Sequence, residues 1–251
     1  PPHTQPHVES HYRVHYSPLE CVWSLFHLHN EVWNVWSHLV ATIVWVYLCI
    51  AAAQEPDFLA APVATQRVIV TAYVFAGLIP FCSTVAHLFH PVNARWYFWT
   101  WRLDYFGVFA AWWARAWFEL WWLFGHCAPE RWTLSVVALT ASFSLLSAVF
   151  LVFAPATLWR RDQRGFIPLF LMVHTPMVLF MLDPDAYKYQ EVWDGLMLSA
   201  VGSGCCVLGL IFFAGRIPER FFAPGTFDLL PFQSHVVWHV FTAIGPVLCL
   251  F

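Results

Sequence analysis

Charge is what this sequence has least of. Only 11% of its 251 residues are Asp, Glu, Lys or Arg, and a soluble domain carries about twice that fraction. So little charge cannot give a chain of this length a fully wetted surface. The net charge of −3 lacks the basic excess that a nucleic-acid partner requires. The cysteines (Cys21, Cys49, Cys82, Cys127, Cys205, Cys206 and Cys249) form no C-x-x-C pair. Lying inside apolar runs, they read as small core residues. No secretory signal peptide, tandem repeat or linker long enough for a second domain is visible. The chain opens on Pro1 rather than Met and stops inside an apolar run at Phe251. It is therefore expected to be trimmed at both ends.

Apolar residues are plentiful: 60% of the chain is hydrophobic, 16 residues are Trp and the mean hydropathy is +0.60. Lipid is the natural surrounding for that excess, because one helical crossing needs about 20 mostly apolar residues and Trp collects at membrane–water interfaces. Seven runs qualify: Asn34–Ala53, Val68–Phe89, Leu103–Phe124, Leu134–Ala154, Phe166–Leu182, Val192–Ala214 and Leu230–Phe251. Turn chemistry separates them at Gln54–Asp57, His90–Asn93, Asp183–Asp185 and Pro224–Gly225. The expected fold is all-α, an integral membrane bundle of seven transmembrane helices. Residues 1–33 form its N-terminal segment and 34–251 the membrane domain, in the plasma membrane or an internal one.

Basic residues orient the bundle. The side holding the N-terminus carries Arg13, Arg95, Arg102, Arg160, Arg161, Arg164, Arg216 and Arg220, and the other side carries Arg67, Arg131 and Lys188. Cytoplasmic loops hold the excess, so the N-terminus is expected in the cytoplasm and the C-terminus outside or in a lumen. Arg115 and Glu119, one turn apart in the third span, read as an ion pair facing the bundle. His174 in the fifth span reads as a helix-to-helix hydrogen bond.

This topology brings titratable groups to one depth, just beneath the cytoplasmic surface. His87 ends the second span, Asp104 opens the third, and His235 and His239 open the seventh. His235 and His239, four apart, project from one helix face and can share an ion. His87 is a third nitrogen, and three nitrogens plus a water is the open arrangement of a catalytic zinc. Imidazoles also suit Cu, Ni or Fe. Ser83 shares the face of His87, and Asp104 is placed to accept from a metal-bound water or to orient a ligand. Spacing alone leaves open both a metal site and an incidental His pair. Glu31, Asn34 and His38 cluster before and within the first span and read as structural, either polar support for the site or a helix cap. His3, His7, His11 and His15 recur every four residues, but Pro6 and the polar surroundings argue for a flexible tail.

The stretch His29–His38, Ser83-Thr84-Val85-Ala86-His87, Leu103-Asp104-Tyr105, Arg216–Phe222 and Phe232–His239 together resemble the progestin and adipoQ receptor (PAQR) family. That family includes adiponectin receptors and haemolysin III-like proteins and is grouped with the alkaline ceramidases. The resemblance runs from about His29 to the end. It implies seven helices with a cytoplasmic N-terminus, zinc on His87, His235 and His239, Asp104 near a zinc-bound water and Ser83 beside the site. Two positions depart from the family pattern: Val32 follows the His-Asn-Glu where Thr is frequent, and His90-Pro91-Val92 stands where Cys-His-Ser is frequent. Two functions follow as expectations. One is a receptor-like hydrolase of a lipid amide, with a ceramide-like substrate or a fatty acid in the bundle. The other is a non-enzymatic receptor for an extracellular hormone or steroid, in which zinc is purely structural.

Overall fold

A computed structural model describes residues 7–126, 188 and 190–250. Every regular element among the described residues is helical: α1 (Pro18–Trp23), α2 (Val32–Ala52), α3 (Pro56–Ala60), α4 (Val63–Phe89), α5 (Ala94–His126), α6 (Gln190–Gly215) and α7 (Ser234–Leu250), with short 3-10 turns at Ser24–Phe26 and Glu219–Phe221. Val32–Ala52, Val63–Phe89 and the stretch Trp193–Phe221 are long and apolar enough to cross a membrane. The expected fourth and fifth spans, with His174, lie outside the described residues, as does the Glu119 side chain.

Local chemistry moves the helix ends away from the apolar runs. α5 starts at Ala94 rather than near Leu103, because Asn93 Oδ1 accepts from the backbone N–H of Arg95 and Trp96, both at 3.0 Å. That capping begins the helix ahead of its apolar stretch. α7 starts at Ser234 rather than Leu230. Gln233 spends its amide on the carbonyls of Phe227 at 2.7 Å and Asp228 at 3.2 Å, which holds the approach as a loop. The Glu219 carboxylate then takes the N–H of Ser234 at 2.7 Å, satisfying an orphan donor of the first turn. α6 ends in a Schellman turn: Ile217 N–H donates to Phe212 O and Arg216 N–H to Phe213 O, with Arg216 at φ 52.

The chain forms two compact units. The first comprises Pro1–Val44, Ile79–Tyr105 and Ser199–Phe251. In it α6 and α7 approach closely at small residues: a Cβ on Gly245 would meet Gly202 O at 2.7 Å, and one on Gly209 would meet Phe241 Cβ at 2.7 Å. Glycine at such points is how membrane helices bring their backbones together. α1, capped by Ser17 and Glu20 in a reciprocal box, packs through Cys21 against Val35 of α2 and Leu88 of α4.

From His7 on, the expected flexible tail is instead packed in this unit; His3 and Pro6 lie outside the described residues. His7, His11 and His15 each take a left-handed φ, which excludes a helical histidine stripe. The chain is pinned where Asn30 N–H donates to His11 O at 3.2 Å and Gly225 N–H to His7 O at 2.9 Å. The second unit, Trp45–Leu78 and Phe106–Leu198, has Trp45 edge-on to Tyr73 and Phe75 against Trp113. Cys21, Cys82 and Cys206 are buried, as expected of core cysteines, and Cys49 and Cys205 partly so, all free thiols.

Candidate metal centre

The site lies within the first unit. α4 carries Ser83 and His87 in its last turns, α5 carries Asp104, and α7 carries His235 and His239 in its first turns. One ligand atom from each of His87, His235 and His239 lies within 4.8 Å of the others. The ring centroids stand 4.9 Å apart for His87–His235, 5.0 Å for His87–His239 and 4.5 Å for His235–His239. Phe213 of α6 walls His235 at 4.6 Å, and Trp101 meets His87 edge-on at 5.1 Å.

For His87 and His239, hydrogen bonds indicate which ring nitrogen carries the lone pair. His87 Nδ1 donates to Glu31 Oε2 at 2.8 Å, and Asn34 Nδ2 donates to the same oxygen at 2.8 Å. His87 Nε2 is left buried with no hydrogen-bond partner. His239 Nδ1 lies 3.1 Å from Ser37 Oγ, whose own hydrogen goes to Asn34 O at 3.0 Å. With that hydrogen on Asn34 O, Ser37 Oγ accepts from His239 Nδ1 and the ring's lone pair falls on Nε2. A ring proton held by an outer partner is the arrangement that prepares histidine for a metal. The donor set and the orphaned His87 Nε2 fit a zinc-type ion.

Around this centre Asp104 of α5 lies beside Ser83 and within electrostatic reach of His87. His38 lies with its ring centroid 3.7 Å from that of His239, and its Nδ1 is buried without a partner. The structure thus brings Glu31, Asn34 and His38 directly behind the histidines, with Glu31 gripping His87. Burial opposes the charge of Glu31, but the surrounding histidines, His87 first and then His90 and His235, outweigh it and hold the carboxyl below its usual range. His29 is pushed down to about 3 and His90 to about 4, both chiefly by burial.

Two supporting residues had no sequence signal that assigned them. Ser37 stands inside the His29–His38 stretch, where spacing gives it no role. Arg13 was counted only as a loop charge, yet it is 7% exposed and inserted beneath α4.

Apolar helices with a polar pocket of imidazoles between them define an integral, multi-pass membrane protein. Residues 26–250 match the haemolysin-III related family, and the chain belongs to it. It is 29% identical to heptahelical transmembrane protein 1 of Arabidopsis thaliana, over 95% of this chain and 73% of that protein. It is 27% identical to the adiponectin receptor protein of Drosophila melanogaster, over 91% of this chain and 52% of that protein. It is 26% identical to human membrane progestin receptor delta, over 91% and 68%. The chain thus spans about half of the Drosophila relative and more of the other two. These relatives support the progestin and adipoQ receptor assignment.

Proposed function

We propose that the protein is a seven-span, receptor-like membrane protein that binds zinc on His87, His235 and His239 and hydrolyses a lipid amide within the bundle. Its N-terminal segment, residues 1–33, would lie in the cytoplasm and 34–251 would form the membrane domain, ending outside or in a lumen. The observation that carries the reading is the convergence of three imidazoles with His87 Nε2 buried and unpartnered. An unsatisfied buried polar atom costs about 1–3 kcal/mol, and an ion removes that cost.

Zinc bound there would supply Lewis-acid chemistry, lowering the pKa of a water towards about 7 and polarising a carbonyl. Asp104 would take the proton of the attacking water and return it to the leaving amine. The Ser83 hydroxyl, on the same side of the site, would donate to the oxygen that gains charge. A ceramide-like lipid or its fatty acid would lie along the apolar helices.

The relatives' names favour a second reading, a receptor for an extracellular hormone or steroid whose zinc only ties helices together. Asp104 beside the histidines favours the enzyme, since a purely structural ion has no use for a general base. The test is metal analysis of the purified protein followed by a lipid-amide hydrolysis assay with and without chelator. Zinc with chelator-sensitive turnover supports the enzyme. Full zinc loading without turnover leaves the receptor.

A further inference from the structure

We propose that Arg13 is a positioning residue of the histidine site: by capping the last turn of α4 it fixes where His87 points. The proposal rests on the metal-site reading. The final carbonyls of a helix have no partner within it. Here the Arg13 guanidinium supplies one, donating from Nη2 to His87 O at 2.6 Å and from Nη1 to Leu88 O at 3.1 Å. Nη1 is also steadied by Ser24 Oγ at 2.8 Å. A planar, always-charged fork suits two adjacent carbonyls at the negative end of a helix. His87 is therefore gripped twice, at its ring by Glu31 and at its own backbone by Arg13.

Arg13 is itself held by the strap of residues 7–17. Ser10 donates to Asp228 Oδ2 from its N–H at 2.8 Å and from Oγ at 2.6 Å. Asp228 belongs to the loop that leads into α7, which bears His235 and His239. One segment thus ties the end of α4 to the approach of α7, the two elements that must stay in register for three nitrogens to meet one ion.

The experiment uses the full chain in detergent, with Co(II) as a coloured probe for the zinc site, and compares the parent with Arg13→Met and Arg13→Lys. Outer partners of metal ligands typically change affinity by about 10–100-fold. Arg13→Met is expected to weaken Co(II) binding at least about 10-fold, shift the visible Co(II) bands and shrink the rise in Tm that metal gives. Arg13→Lys keeps one donor but not the fork and should fall between the two. A role in folding alone would lower Tm equally with and without metal and leave affinity and bands at parent values; that result overturns the proposal. If Arg13→Met does not fold, Arg13→Lys decides, and parent-like affinity in it overturns the proposal. A parent that binds neither Co(II) nor zinc overturns the metal-site reading and this inference with it, whereas a binding parent with unchanged variants overturns this inference alone.

Discussion

Replacing Glu31 by Gln tests whether the site is built as its hydrogen bonds indicate. Glu31 Oε2 receives two donors, His87 Nδ1 and Asn34 Nδ2, each at 2.8 Å, and the residue is 1% exposed. Gln has nearly the same shape, so no cavity opens, but it removes the negative charge that makes His87 Nε2 a stronger base. Loss of such a partner typically costs about 10–100-fold in metal affinity, or about 1.4–2.7 kcal/mol. Glu31→Ala is less informative. It strands two buried donors at about 1–3 kcal/mol each, a large part of the total stability of about 5–15 kcal/mol usual for a domain. The assay is competition of a chromophoric chelator against protein for zinc, with far-UV circular dichroism to show that the fold is intact. Glu31→Gln should bind zinc about 10–100-fold more weakly while remaining helical. Parent affinity in a folded Glu31→Gln protein would refute the claim that this carboxylate prepares His87 for a metal.

Three further outcomes follow. Asp104→Asn should keep its zinc, stay folded and lose about 100- to 10,000-fold in lipid-amide turnover; loss of the metal instead would make Asp104 a ligand. A tag after Phe251 should be accessible on intact cells and one before Pro1 should not, and both ends on one side would break the seven-span count. His29, with its pKa pushed down to about 3 by burial, binds a proton more readily unfolded than folded. Stability should therefore fall as pH drops below about 6.5, the unfolded value. Scanning Tm from pH 7 to pH 4 should give a shallower decline in His29→Gln than in the parent, and parallel curves would exclude His29 as a source of the slope.

The sequence by itself determined the class of this protein. A charge fraction of 11% and long apolar runs leave lipid as the surrounding, and helix is how a single apolar run satisfies its backbone there. It also set His87, His235 and His239 at one expected depth, since the end of one apolar run and the start of another share a side when runs cross in turn; that the three rings meet was decided by the packing of α4 against α7. Apolar run length placed the interiors of the described long helices but missed the starts of α5 and α7, which Asn93 and Glu219 set through side-chain caps. Tertiary structure alone decided how the histidines are supported. Nothing in the spacing of Glu31 and His87, or of Ser37 and His239, shows that they touch, since each pair is joined by packing between helices far apart in sequence. Arg13 was the least legible. In sequence it is a lone cation in a His-rich, Pro-bearing segment, and its role exists only because the last carbonyls of α4 lack partners and the folded chain brings a guanidinium to them.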